Sequence, residues 1–119
     1  MILHEIFISS TLDIDGLAAL VRDCLKLSDR NKSAYQSDQK RDSANKGGTY
    51  YLFESEPYTV ELLRNTDDVS IAGRAEWPYY LLIYPTDRDP SAVRFERDVA
   101  DVVKRLIDAG LNVERDTLT

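Results

Sequence analysis

The run Tyr79-Tyr80-Leu81-Leu82-Ile83-Tyr84 is the longest strongly apolar stretch in the chain, and it limits the fold more than any other segment. It is far too short to cross a bilayer as a helix. Apolar or aromatic side chains stand on both alternations, so as a strand it must be covered on both faces and lie inside a sheet. A chain of 119 residues has room for one domain around such a strand, spanning 1–119. At that size about two-thirds of the unfolded surface is buried on folding, enough for a core without cross-links.

The flanking segments supply the other elements. Ile2 to Ile8 is rich in apolar and aromatic residues and is bounded by Ser9-Ser10-Thr11, which predicts an opening strand. Asp13 to Leu25 predicts a helix. Leu17, Leu20, Val21, Cys24 and Leu25 build one apolar stripe, Asp13 stands at the N-cap, and Asp15 suits the positive end of the helix dipole. Thr49 to Phe53 and Tyr58 to Arg64 read as a hairpin, with Glu54-Ser55-Glu56-Pro57 as its polar turn. Asn65 to Trp77 is a loop with a candidate strand fragment at Val69 to Ile71. Asp89 as cap and Pro90 at the first helical position open a last helix, which Gly110 ends. Its apolar stripe is Phe95, Val99, Val102, Val103 and Leu106, and Leu111 to Val113 is long enough for a short terminal strand.

The segment 28–47 breaks this pattern: it has no aliphatic residue larger than alanine, and Tyr35 is its only aromatic. It reads as a long polar loop, with a candidate short strand around Lys32 to Gln36. Its five basic and three acidic residues leave ten basic and eighteen acidic for the rest of the chain. The formal balance of −6 therefore conceals a body at −8. Such acidity argues against nucleic acid as a partner, because phosphate contacts dominate that kind of binding. A single cysteine makes no intramolecular disulfide, and Met1-Ile-Leu-His-Glu lacks the basic start of a secretion signal. Both point to the cytoplasm, and no segment points to a membrane.

Catalytic groups are sparse. His4, the only histidine, alternates with core positions in the first strand and reads as a hydrogen-bonded structural residue. Cys24 falls on a helix stripe and reads as an inert thiol. One Cys and one His cannot complete a zinc site. The pairs Asp13/Asp15 and Asp87/Asp89 stand where helices begin, so capping accounts for them without a cation. Gly47-Gly48 lacks the phosphate-loop pattern and serves a turn. No cofactor is expected, and the chain reads as a binding protein rather than an enzyme. Glu54, Glu56, Glu61, Asp67, Asp68 and Glu76 lie close in sequence to Tyr50, Tyr51, Tyr58, Trp77, Tyr79 and Tyr80. Carboxylates steer a basic protein while large aromatics supply a desolvated contact.

The runs Gly47-Gly48-Thr49-Tyr50-Tyr51-Leu52-Phe53, Val60-Glu61-Leu62-Leu63-Arg64-Asn65 and Trp77-Pro78-Tyr79-Tyr80-Leu81-Leu82-Ile83-Tyr84 carry a further signal. In them the chain resembles small bacterial immunity proteins of contact-dependent growth inhibition and related polymorphic toxin systems. An opening strand and helix, a Gly-Gly-x-Tyr-Tyr hairpin and a closing amphipathic helix follow in the same order over nearly the whole chain, with 28–47 the least comparable part. The resemblance implies a cytoplasmic protein that neutralises the toxic C-terminal domain of a large secreted protein, often a basic nuclease. No binding residue transfers by motif.

The expected fold is α/β of the α+β type, in the order β-α-β-β-β-α-β. Its sheet is mostly antiparallel, with four or five strands and both helices on one face. The expected function is stoichiometric toxin inhibition by a monomer in a 1:1 complex. Glu54, Glu56, Asp67, Asp68 and Glu76 supply the charge, and Tyr58 and Trp77 the aromatic anchors. The main alternative is a small regulatory or ligand-binding module. A third class, an enzyme built on His4 or the Asp pairs, requires those residues to converge in a cleft.

Overall fold

The computed structural model describes residues 3–26, 39–43, 48–53, 58–65, 77–85 and 92–118. Among the described residues there are six strands: β1 (Leu3–Ser9), β2 (Gln39–Ser43), β3 (Gly48–Phe53), β4 (Tyr58–Arg64), β5 (Tyr79–Pro85) and β6 (Asn112–Leu118). They pair antiparallel throughout, in the order β2-β3-β4-β5-β1-β6. The apolar β5 lies between β4 and β1, the inner position its composition demands. Among the described residues two helices, α1 (Ile14–Leu25) and α2 (Ala92–Asp108), complete the α+β fold.

Register decides which side chains meet the helices. Ile6 faces Leu81, and Leu81 faces Leu62, which faces Tyr51. This row and its neighbours Ile8, Phe53, Tyr58, Val60 and Ile83 share one buried cluster with Ile14, Leu17, Ala18, Val21 and Leu25 of α1. Phe95, Val99, Val102 and Leu106 of α2 join the same cluster, so both helices cover one face of the sheet. Burying each large side chain there is worth about 1.5–3 kcal/mol. The other face has its own smaller cluster of Phe7, Leu63 and Tyr80, with Tyr50, Trp77 and Leu82 packed against it.

The helix ends follow local chemistry. Asp13 has extended backbone and its side chain accepts from the Gly16 amide at 2.7 Å, satisfying one of the first-turn donors. At the far end of α2, Gly110 adopts φ +92°, its amide reaches Ile107 O, and the Leu111 amide returns to Leu106 O at 3.1 Å. These two bonds form a Schellman closure, which requires the left-handed residue. α1 ends on Lys26, also left-handed at φ 55°.

The expected order β-α-β-β-β-α-β is present, and one edge strand, β2, is added to it inside the polar segment. Its residues Gln-Lys-Arg-Asp-Ser carry no hydrophobic alternation, and it is held by its backbone ladder with β3. β6 runs to Leu118 instead of stopping near Val113: seven register pairs with β1 carry it through Glu114-Arg115-Asp116. On α1, Ile14 and Ala18 are buried, whereas Leu20 and Cys24 of the expected stripe are only half-buried. The candidate strands at Lys32–Gln36 and Val69–Ile71, and the Asp89-Pro90 start of α2, lie outside the described residues.

Candidate interaction surface

The pairs Ser9–Asn112, Ile8–Tyr79 and Arg64–Tyr79 define one end of the sheet, where β1 and β4 finish and β5 and β6 begin. α1 starts from the same end. Asp13 is engaged in capping, while Asp15, in the first turn of the helix, receives the Tyr51 hydroxyl at 2.6 Å and the Lys40 ammonium at 3.1 Å. Lys40 and Tyr51 are directly opposite across β2 and β3, so their side chains leave the sheet on the same face. The Tyr51 ring stacks on Phe53, 6.0 Å between centroids, which fixes its hydroxyl. The Tyr51 hydrogen bond first, then that of Lys40, holds the Asp15 carboxyl below the usual range.

Aromatics gather at this end. The Tyr79 hydroxyl donates to Leu12 O at 2.8 Å, and Leu12 is an exposed large hydrophobic residue. Asn65 clamps the start of β5: its amide donates to Pro78 O and its side chain to Trp77 O, both at 2.9 Å. Trp77 is half-buried against the Phe7, Leu63 and Tyr80 cluster, on the face away from the helices.

Five of the residues expected at a partner surface have no described position. Glu54 and Glu56, together with Asp67, Asp68 and Glu76, lie outside the described residues. The first two fall between Phe53 and Tyr58 at one end of β4, and the other three between Asn65 and Trp77 at the opposite end. Tyr58 is corrected outright as a surface anchor: it is 1% exposed in the main core. It shares the helix-facing alternation of Val60 and Leu62, a period-two signal present in the sequence.

On the face away from the helices, Glu5 and Glu61 are buried at 4% and 8% exposure. Each is opposite Leu82 on β5. The Tyr84 hydroxyl donates to Glu61 Oε2 at 3.0 Å. Burial, and then the fields of Glu5 and Glu61, push the Tyr80 phenol up.

His4 is buried on the helix side, edge-on to Phe95. Arg115 Nη2 lies 3.1 Å from His4 Nδ1, and because arginine only donates, Nδ1 accepts and the proton is on Nε2, 3.8 Å from Glu96 Oε2. Glu96 Oε1 also accepts from Arg115 at 2.5 Å, so the three residues tie α2 to β1 and β6. Burial lowers the His4 pKa, the Arg115 charge lowers it further, and Glu96 partly opposes them. Burial pushes the Cys24 thiol up to about 11, a poor nucleophile at neutral pH, and it donates to Val21 O. Asp87 and Asp89 lie outside the described residues. Among the described residues no group of three His, Cys, Asp or Glu side chains is placed to hold a metal ion, and no helix is long and apolar enough to cross a membrane.

Sequence reasoning missed the Asp15–Tyr51–Lys40 contact. Its members are 25 and 36 residues from Asp15, and only the sheet register brings them together. Compared with known proteins, the sequence matches no protein-family model and no curated protein.

Proposed function

We propose that this chain is a cytoplasmic immunity protein that binds and neutralises the toxin domain of a contact-dependent inhibition system. The toxin domain is basic, and a nuclease fits the charge best. The observation that carries the reading is the sheet end where Asp13 and Asp15 open α1, Tyr51 binds Asp15, Tyr79 binds the carbonyl of exposed Leu12, and Trp77 lies at the same end on the opposite face. Carboxylates next to half-open aromatics suit a basic protein surface, the charges speeding encounter and the rings supplying the desolvated contact. The chain's net charge of −6 has the matching sign. The action is stoichiometric binding, 1:1, over or beside the toxin's active site, and no turnover is involved.

The test is co-expression with the C-terminal domain of a large secreted protein encoded immediately upstream. The expected outcome is a 1:1 complex and survival of cells that the domain otherwise kills. Cell death despite full expression of this chain, with no complex recovered, would sink the reading. A thermal shift with a metabolite and no protein partner would replace it with a ligand-binding module.

A further inference from the structure

We propose that Asp15 and Tyr51 form a seat for a lysine or arginine side chain of the partner protein, and that Lys40 of the chain's own edge strand occupies this seat until the partner arrives. The identity of the partner rests on the immunity reading above; the seat itself rests on geometry. The Lys40 ammonium lies 3.1 Å from Asp15 Oδ1 and 3.3 Å from Oδ2, so one cation spans both carboxylate oxygens. The Tyr51 hydroxyl binds Oδ1 and orients the carboxylate. A guanidinium offers two parallel N–H donors to the same pair of oxygens, which a lysine does not, and so competes well.

The occupant is weakly held. β2 has no apolar side chain, and among the described strands it pairs with β3 alone. Lys40 and Asp15 are both 53% exposed, and exposed ion pairs of this kind contribute little. Asp15 stays ionised at neutral pH under the Tyr51 and Lys40 hydrogen bonds, with the Lys40 and Arg64 charges acting in the same direction. Exposed Leu12 lies three residues before Asp15 in the chain, and the Tyr79 hydroxyl is bonded to its carbonyl, so apolar surface for an incoming stem is at the same end of α1. Exchange of one cation for another keeps the carboxylate paired throughout, so binding does not carry the cost of stripping it bare.

The experiment titrates acetyl-Gly-Arg-Gly-amide into the chain at fixed ionic strength, read by the NMR shifts of Asp15 and Tyr51. Lys40→Ala is expected to bind the peptide about threefold more tightly than the unaltered chain, the scale of one exposed ion pair. Adding Asp15→Asn to Lys40→Ala should abolish the gain. Lys104→Ala, which removes an exposed lysine on α2, should leave affinity unchanged and separates local competition from net charge. A gain that survives the added Asp15→Asn substitution, an equal gain from Lys104→Ala, or peptide shifts that bypass Asp15 and Tyr51 would each overturn the seat.

The toxin domain supplies the second arm. Lys40→Ala should tighten its complex about threefold, and Asp15→Asn should loosen it. If the peptide takes the seat while the toxin domain binds every variant alike, the partner assignment is overturned and the immunity reading stands. If the toxin domain does not bind the unaltered chain at all, the immunity reading and the partner assignment fall together, while the peptide titration still decides the seat.

Discussion

Gly110 is held at φ +92°, a conformation that costs any residue with a Cβ, although a Cβ built there meets nothing within 4 Å. Gly110→Ala therefore tests backbone strain without a clash, and it should lower stability by about 1 kcal/mol in urea unfolding. An unchanged midpoint would mean that the Schellman closure relaxes without cost. Asp13→Ala removes the acceptor of the Gly16 amide and should cost about 1 kcal/mol, whereas Asp13→Asn, which keeps a capping oxygen, should cost much less. Phe95→Ala opens the core beneath α2 and should cost about 3–5 kcal/mol, the largest of the three. These positions are legible in the sequence because their causes are local. A cap, a left-handed glycine and a period of 3.6 each act within a few residues. Tyr58 is equally local in its alternation with Val60 and Leu62, yet as one of several tyrosines beside acidic residues it reads as a surface anchor.

Between elements, the contact among His4, Glu96 and Arg115 ties the first strand, the second helix and the last strand together. Its pH dependence has a definite sign. The folded-state pKa of His4 is lowered from 6.5, so the unfolded chain binds the proton more readily. The contribution is complete above the unfolded value and is lost as pH falls from 6.5 toward the lowered folded value. Urea midpoints should therefore fall between about pH 7.5 and pH 5.5, and His4→Gln should flatten that part of the profile. An unaltered slope in the variant would show that another group is responsible. Asp15 acts in a lower window: its contribution is present above the ordinary carboxylate value of 3.8 and is lost as pH falls through the depressed folded value. Edges are the least legible elements. β2 and the outer half of β6 are polar, and they exist as strands because β3 and β1 present unpaired backbone to them, a cause found elsewhere in the chain. The Asp15–Tyr51–Lys40 contact inherits the same difficulty, since it is created by the register of β2.

For the whole molecule, an acidic body meeting a basic partner predicts association that slows as salt rises. The two acidic segments flank opposite ends of β4, so their charges can be reversed separately. Glu54→Lys with Glu56→Lys probes one end, and Asp67→Lys with Asp68→Lys the other. The pair nearer the docking face should slow association with the toxin domain and flatten its salt dependence, while the distant pair does much less. Equal and small effects from both pairs would remove electrostatic steering from the account. A different consequence follows from the placement of β1 between β5 and β6. Leu3 finds its partner at Leu118, so β1 completes its pairing only once β6 has been made. At about 5–20 residues per second the interval between the two is on the order of 5–20 seconds. Until β5 is made Ile6 and Ile8 have no neighbouring strand, and until β6 is made β1 has a partner on one side alone, because β5 starts at Tyr79 and β6 at Asn112. The sheet therefore cannot close around β1 until its last strand exists, and any role that needs the whole sheet begins only after β6 is made.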